Sequence, residues 1–156
     1  MRAGDGGRGA ISFRKEAHVP RGGPDGGDGG HGGNLVLRVD AGLGTLADLR
    51  YKTTYLAPGG APGSGKDRSG KAGKDLVLRI PPGTLVIDRA TGETVADLTE
   101  PDQEVVIARG GRGGRGNARV ATSTNRAPRR AVPGQLGEER RLRLERRGAS
   151  YIERRQ

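Results

Sequence analysis

The sequence predicts an all-β fold: a compact β-barrel or sandwich that carries packed glycine-rich helices of the polyproline II type. Three observations support this prediction. Short apolar and β-branched runs recur along the chain, glycine-rich stretches with a spacing of three lie between them, and no window of twelve residues keeps a helical period. An apolar share of 31%, with 30 glycines among 156 residues, confines a conventional core to part of the chain.

Five runs of strand length account for the β part. The runs at 35–39 and 76–80 each place two leucines and a β-branched residue on one face at period two. Shorter runs lie at 85–87, 95–98 and 105–108, and turn residues at 81–84 and 91–93 separate three of the runs. Close spacing of short strands is typical of a small barrel.

The longest glycine-rich stretch, at 22–33, repeats every third residue. Glycine, with one proline, fills two of the three frames, and the third frame is polar: Asp25, Asp28, His31 and Asn34. A polyproline II helix has three residues per turn, so this stretch would show two bare faces and one decorated face. A shorter copy at 4–9 carries Asp5 and Arg8, and the copy at 109–117 carries Arg109, Arg112 and Arg115.

Bare faces allow such helices to pack closely and to exchange backbone hydrogen bonds that no single helix can make. The glycines predicted to serve this packing are Gly23, Gly26, Gly29, Gly32, Gly110, Gly113 and Gly116. The alternative interpretation is a disordered Arg-Gly-rich RNA-binding segment, since glycine-rich composition is also typical of flexible linkers. Strict spacing in three separate stretches favours ordered packing.

The segment Gly60–Asp67 nearly spells a phosphate-binding P-loop. Asp67 occupies the position at which a P-loop has the Ser or Thr that binds magnesium, and a carboxylate there would face the phosphates. A P-loop also needs a buried strand before it and a helix after it, whereas a second glycine-broken stretch follows here. We therefore interpret the segment as a basic loop tip without nucleotide binding.

The sequence offers no catalytic or metal-binding constellation. It has no cysteine and two histidines, which cannot form a hydrolytic triad or a zinc site from where they lie. The pair Asp25 and Asp28 could act as acid and base or hold a hard cation, but a solvated or salt-bridged structural stripe is the favoured interpretation. We expect a non-enzymatic chain without a cofactor, a metal or a small-molecule substrate.

A net charge of +10 and an isoelectric point near 10.9 point to a polyanionic partner. No window approaches the roughly 20 apolar residues that span a bilayer, and no signal peptide begins the sequence, so we expect a cytoplasmic chain without membrane contact. The candidate contacts to RNA phosphates are eight basic residues: Arg8, Arg21, Lys66, Arg68, Lys71, Lys74, Arg112 and Arg115.

Several motifs, in order, resemble the N-terminal domain of the Obg family of ribosome-associated GTPases. They are the sequences at 13–16 and 20–30, Pro82-Gly83-Thr84, Asp88 with 91–93, 96–98, and the glycine–arginine stretch at 110–117. The resemblance runs from about Ala3 to Glu145. It implies an eight-stranded β-barrel with a projecting bundle of left-handed glycine-rich helices. It also implies docking on the large ribosomal subunit near the peptidyl transferase centre, with a part in ribosome biogenesis.

This sequence departs from the family pattern at its two ends. Family members begin with an apolar strand, whereas Met1-Arg2 stands here, so the first strand is expected to be missing. Residues 1–145 form the expected Obg-like domain, and 142–145 resemble the start of the following GTPase domain, which uses GTP and magnesium. The tail at 146–156 diverges and has no P-loop, which fits either a shortened gene or a stand-alone paralogue.

Overall fold

The computed structural model describes residues 1–13, 23–50, 54–120 and 132–146, and regular structure within them is almost entirely β. The prediction of an all-β fold is confirmed. The strands are β1 Leu35–Val39, β2 Leu76–Ile80, β3 Thr84–Asp88, β4 Thr94–Leu98, β5 Glu104–Ala108 and β6 Leu142–Arg146. Two helices of a single turn each, α1 Ala47–Arg50 and α2 Asn117–Val120, complete the described elements.

β1 is the central strand of the first sheet. It pairs in parallel with β2, Leu35 opposite Leu76, and antiparallel with β5, Leu37 opposite Val105. The period of two in β1 and β2 sends their leucines to one face, and Leu35, Leu37 and Ile80 are fully buried. The two leading sequence runs thus build the wall of the core.

β3 is the central strand of the second sheet and pairs antiparallel with β4 and β6. β6 includes residues 142–145, which lie at the end of the predicted 1–145 domain and resemble the entry to a following GTPase domain. Val86 lies opposite Leu144 in the ladder, and Leu144 packs against the core. The alternation of leucine with arginine and glutamate along 142–146 is the period-two signal of a strand, and it was not interpreted as one.

The hydrophobic core lies between strands of both sheets and extends to the beginning of the chain. Its buried members include Val39, Val86, Leu98 and Ile107, and Ala3 joins them from the first residues. The expected absence of a first strand corresponds to isolated bridges, in which Arg2 pairs with Leu56 and with Glu139. A backbone link near the terminus therefore exists, although it is short.

Glycine-rich stretches also pack in a regular array. The structure has six of them, twice the number that the sequence predicted. Six segments take part, numbered in chain order: segment 1 (2–10), segment 2 (25–34), segment 3 (57–64), segment 4 (68–76), segment 5 (109–117) and segment 6 (132–138). They are tied by backbone hydrogen bonds of 2.8–3.1 Å that recur at every third residue. Segments 3, 4 and 6 were missed, although each has two glycines spaced by three.

Hydrogen-bond partners define the arrangement of the six segments. Segments 1 and 2 bond to each other, and both bond to segments 3 and 5. Segment 4 bonds to segments 2 and 3, while segment 6 bonds to segments 1 and 5. The bundle is therefore three rows of two: segments 3 and 4 in one outer row, 1 and 2 in the middle, 6 and 5 in the other outer row.

Close backbone packing explains why glycine is needed in the bundle. A Cβ added at Gly29 would lie 1.8 Å from the carbonyl oxygen of Gly7, and one at Gly32 would lie 1.8 Å from that of Gly4. Packing this close excludes any side chain and gives the backbone groups partners on neighbouring segments. The alternative of a disordered Arg-Gly segment does not describe this chain, because segment 5 is hydrogen-bonded to three neighbours.

Candidate nucleic-acid interface

One row of basic side chains belongs to segment 4. Arg68, Lys71 and Lys74 recur every third residue, so they share one frame of the segment, and all three are exposed. The carbonyl oxygens of Arg68 and Lys71 accept hydrogen bonds from Ser64 and Ala61 of segment 3. The backbone is thereby fixed while the side chains of Lys71 and Lys74 are exposed, and Arg68 Nε donates to Gly65 O over 3.0 Å.

A second row belongs to segment 5, in the opposite outer row of the bundle. Arg109, Arg112 and Arg115 are exposed, and their carbonyl oxygens accept hydrogen bonds from Glu138, Gln135 and Val132 of segment 6. A rise of about 3.1 Å per residue spaces side chains of one frame by roughly 9 Å along the segment. The bundle thus presents basic rows on two faces.

Acidic side chains in the bundle accept hydrogen bonds from backbone amides of neighbouring segments. Gly116 donates to Asp28 Oδ1 over 2.9 Å, Gly137 donates to Asp5 Oδ1 over 2.8 Å, and Asn34 donates to Asp75 Oδ1 over 2.9 Å. No described residue forms an ion pair with any of six predicted contact residues: Arg8, Lys66, Arg68, Lys71, Arg112 and Arg115. Acids tie the segments together, and the basic groups remain available to a partner.

The remaining predicted contacts lie at different places. Arg8 is exposed on the outward frame of segment 1, and Lys66 sits at the turn between segments 3 and 4 with φ of 61°. Lys74 is exposed at the end of the segment 4 row nearest β2. Arg21 lies outside the described residues. The structure therefore brings together the segment 4 residues in one row and the segment 5 residues in another.

Six of the seven predicted packing glycines lie close to a neighbouring backbone. A Cβ at Gly110 or Gly113 would come within 1.9 Å of a carbonyl oxygen of segment 2, and Gly116 would meet two such oxygens at 2.1 and 2.3 Å. Gly26, Gly29 and Gly32 face segment 1 in the same way. Gly23 differs, because a Cβ there would meet no atom of the described chain within 4 Å. It precedes the packed part of segment 2.

Most amides of the P-loop-like segment are engaged within the chain. Gly60 donates to Asp5, Ala61 to Lys71, and Gly63 to Arg8, all within the bundle. Ser64 and Asp67 also donate to backbone oxygens, so the row of free consecutive N–H groups with which a P-loop cradles phosphate is not present here. The interpretation as a loop tip is correct for 65–67 and needs correction at Gly60 and Gly63, which pack against segment 2.

The predicted solvated or salt-bridged stripe of Asp25 and Asp28 needs correction at Asp25, which is buried. Asp25 is 4% exposed, and its Oδ1 has no hydrogen-bond partner among the described residues. Asp28, His31 and Asn34 accept hydrogen bonds from the amides of Gly116, Gly113 and Gly110 in segment 5. These three half-buried or exposed side chains of segment 2 are acceptors that fix the register of segment 5.

Asn117 is a buried polar residue that sequence reasoning missed. It is 0% exposed, and its Oδ1 accepts from the amides of Gly26 (2.8 Å) and Ser12 (3.3 Å), while its Nδ2 donates to Ser12 O. One side chain therefore links three parts of the chain: Ser12 just after segment 1, Gly26 in segment 2, and the end of segment 5. Its position directly after the glycine–arginine repeat was the available signal.

Other site types are not found among the described residues. In the parts of the chain that the structure describes, no group of three or more His, Asp or Glu side chains could hold a metal ion. Both helices in those parts are one turn long, far too short to cross a membrane. The exposed basic rows are the candidate site that the described residues offer.

Comparison with known proteins gives consistent matches along most of the chain. The family model GTP1/OBG matches residues 1–147. GTPase Obg of Syntrophotalea carbinolica is 66% identical over 145 residues, which cover 93% of this chain and 41% of that protein. GTPase Obg of Chlorobium chlorochromatii is 57% identical and that of Moorella thermoacetica 55% identical, with 43% and 34% of those proteins covered. The chain spans well under half the length of these relatives.

Proposed function

The chain belongs to the GTP1/OBG family, and on that basis we propose that it is a ribosome-binding module of the cytoplasm. The module docks on rRNA of the large ribosomal subunit near the peptidyl transferase centre and acts in ribosome biogenesis. The observation that carries this proposal is the exposure of two basic rows on a bundle whose acids are engaged with backbone amides.

The bundle suits a narrow RNA cavity because its helices are unusually thin. Glycines lie directly against carbonyl oxygens of the next segment, with no side chains between, so six chains occupy little width. Basic rows on two faces can meet phosphates on both sides of such a cavity, and phosphate contacts give orientation without reading sequence. Aromatic residues make up 3% of the chain, too few for a base-stacking platform.

We propose binding without catalysis for this part of the family. The names of the relatives describe GTPases, and in this chain five amides of the P-loop-like segment already donate to backbone oxygens of the chain. GTP and magnesium would belong to sequence in the relatives beyond the matched part. This chain is expected to bind ribosomes in the absence of nucleotide.

Replacement of Lys66, Arg68, Lys71 and Lys74 by alanine tests the segment 4 contact. Co-sedimentation with purified large subunits should weaken, and the slope of log K against log salt concentration should fall by about 3, because each lost phosphate contact removes about 0.7–0.9. Replacement of four exposed arginines of the β part serves as the charge-matched control: Arg79, Arg89, Arg141 and Arg143.

If the segment 4 variant co-sediments like the unsubstituted chain at moderate salt, these four residues do not contact the ribosome and this part of the proposal is wrong. An equal loss in the control variant would show that net charge alone drives binding, and the basic rows would then have no specific role. Circular dichroism and the unfolding midpoint of both variants must match the parent chain, since all eight positions are exposed.

A further inference from the structure

Segment 1 leaves part of one backbone frame unpaired. Its amides in the frame of Gly4 and Gly7 donate to segment 2, and those in the frame of Gly6 and Gly9 donate to segment 6. In the third frame Arg2 donates to Tyr55 O over 2.9 Å. The next two amides of that frame, Asp5 and Arg8, have no hydrogen-bond partner among the described residues.

The unpaired amides line a groove between segments 1 and 3. Gly59 lies beside Asp5, and a Cβ at Gly59 would be 3.3 Å from Asp5 O and 3.9 Å from Asp5 N. Leu56, three residues before, is 64% exposed, and Pro62, three residues after, is also exposed. The groove therefore has two donors on one wall and a glycine between two apolar residues on the other.

The same geometry holds segment 2 in its place within the bundle. Segment 1 donates the amides of Gly4 and Gly7 into that place, while segment 3 turns the bare Cα faces of Gly60 and Gly63 towards it. The groove beside Gly59 is the equivalent place on the outer side of segments 1 and 3. It is an open position in the array, lined by the bare Cα face of one glycine, Gly59, whereas segment 2 packs against the bare faces of two, Gly60 and Gly63.

In segment 5 one amide frame is closed by side chains of the chain itself, whereas the amides of Arg112 and Arg115 have no hydrogen-bond partner among the described residues. The amides of Gly110, Gly113 and Gly116 each donate to a side chain of segment 2. No described side chain serves the amides of Asp5 and Arg8 in this way. An unpaired backbone edge is a template for another extended chain, as at the edge of a sheet.

We propose that this groove binds an extended, proline-rich segment of another protein as a seventh helix of the bundle. The groove offers donors from segment 1, so the occupant must supply carbonyl oxygens every third residue, which proline residues can do although they have no N–H. Polyproline II segments meet this requirement with little loss of conformational entropy. Leu56 and Pro62 give apolar contacts to proline rings.

The occupant should run antiparallel to segment 1. Both segments that accept amides of segment 1 do so in reverse order, since Gly4 and Gly7 bond to Gly33 and Gly30, and Gly6 and Gly9 bond to Gln135 and Val132. Two hydrogen bonds with a small apolar contact fit weak binding, with a dissociation constant on the order of 1 mM. Such affinity suits a partner that is already held nearby.

Titration of the full chain with a capped nine-residue peptide, (Pro-Pro-Gly)3, tests the proposal. Hydrogen exchange of the Asp5 and Arg8 amides, followed by NMR, should slow about tenfold at a peptide concentration ten times the dissociation constant. A Gly-Ser peptide of equal length, which lacks the preformed helix, should have no effect. Unaltered exchange at these two amides, or slowing only elsewhere in the chain, overturns the proposal.

Gly59→Val fills the groove and should abolish the slowing. Its Cβ would approach Asp5 O at 3.3 Å, against 1.8–2.3 Å at the packed glycines, so the bundle should still fold. Gly44→Val is the matched control, because a Cβ there meets no described atom within 4 Å, and it should bind like the parent chain. Leu56→Ser, at a 64% exposed position, should weaken binding independently of any effect that Gly59→Val has on folding. Binding that both groove variants retain overturns the proposal.

Discussion

At the scale of single residues, the glycines of this chain fall into groups that composition cannot separate. Most glycines of the six segments face a carbonyl oxygen at about 2 Å from where a Cβ would be, whereas Gly23 and Gly44 face open space within the described chain. Two others, Gly83 and Gly92, are needed for their positive φ of 79° and 76° in turns between strands. The same residue type therefore serves close packing, turn geometry or neither.

Gly29→Ala should destabilise the chain by about 3 kcal/mol or more, because the methyl group would overlap Gly7 O at 1.8 Å and force the segments apart. Gly44→Ala should be neutral or slightly stabilising, since alanine lowers the entropy of the unfolded chain. Urea unfolding of both variants measures the difference. Equal midpoints for the two would contradict the close packing.

Asp88 gives a pH dependence at the residue scale. The amide of Ala90 donates to its carboxylate, and with smaller help from Thr91 and Arg140 this holds the pKa of Asp88 below the ordinary value of 3.8. A lowered pKa in the folded state stabilises the fold above pH 3.8 and loses that effect as pH falls through the folded-state pKa. The free energy of unfolding should differ between the parent and Asp88→Asn at about pH 6, and this difference should shrink as the pH falls to about pH 2. A difference of constant size would exclude this linkage.

At the scale of elements, segments are positioned by side chains as well as by backbone pairs. Segment 2 donates and accepts backbone bonds with four neighbours and also presents three side-chain acceptors to segment 5. Since buried or half-buried amides without partners are costly, these acceptors fix where segment 5 can lie along segment 2. β6 is positioned differently, by a five-residue ladder to β3.

Asp28→Leu should destabilise the chain by about 1–3 kcal/mol, because the amide of Gly116 would lose its acceptor in a part-buried site. Asp28→Asn keeps an acceptor oxygen and should cost less. Chemical denaturation gives the stability, and exchange of the Gly116 amide gives the local effect. Faster exchange at Gly116 with Leu but not with Asn is the expected pattern, and identical behaviour of the two variants would contradict it.

At the scale of the whole molecule, a small hydrophobic core supports a bundle that has no core of its own. The sheets bury leucine, isoleucine and valine, while the bundle is held by backbone hydrogen bonds and by the close approach of glycines to neighbouring carbonyl groups. Bonds between segments 1, 2 and 5 link residues far apart in sequence, so these segments cannot form separately. Order in the bundle therefore depends on the β part bringing them together.

Amide exchange should reveal a bundle that opens as one unit. Amides of Gly7, Gly29 and Gly114 donate to neighbouring segments and should exchange at least about tenfold more slowly than the exposed turn at Lys66, for which no donated bond is found among the described residues. The three rates should rise together as denaturant is added. Exchange of these glycine amides at free-peptide rates would contradict an ordered bundle. Rapid proteolysis within the glycine segments would point to the same disorder.

The sequence by itself determined the all-β class, strands β1 to β5 and the spacing of three in the glycine stretches. These features depend on periods of two and three between residues that are close in sequence. The tertiary structure alone decided that six segments pack, that the polar frame of segment 2 accepts hydrogen bonds from segment 5, and that β6 joins the second sheet. Those outcomes depend on which distant carbonyl oxygen faces each amide. A pair of glycines such as Gly134 and Gly137 carries too little local information to name its partners in segment 1.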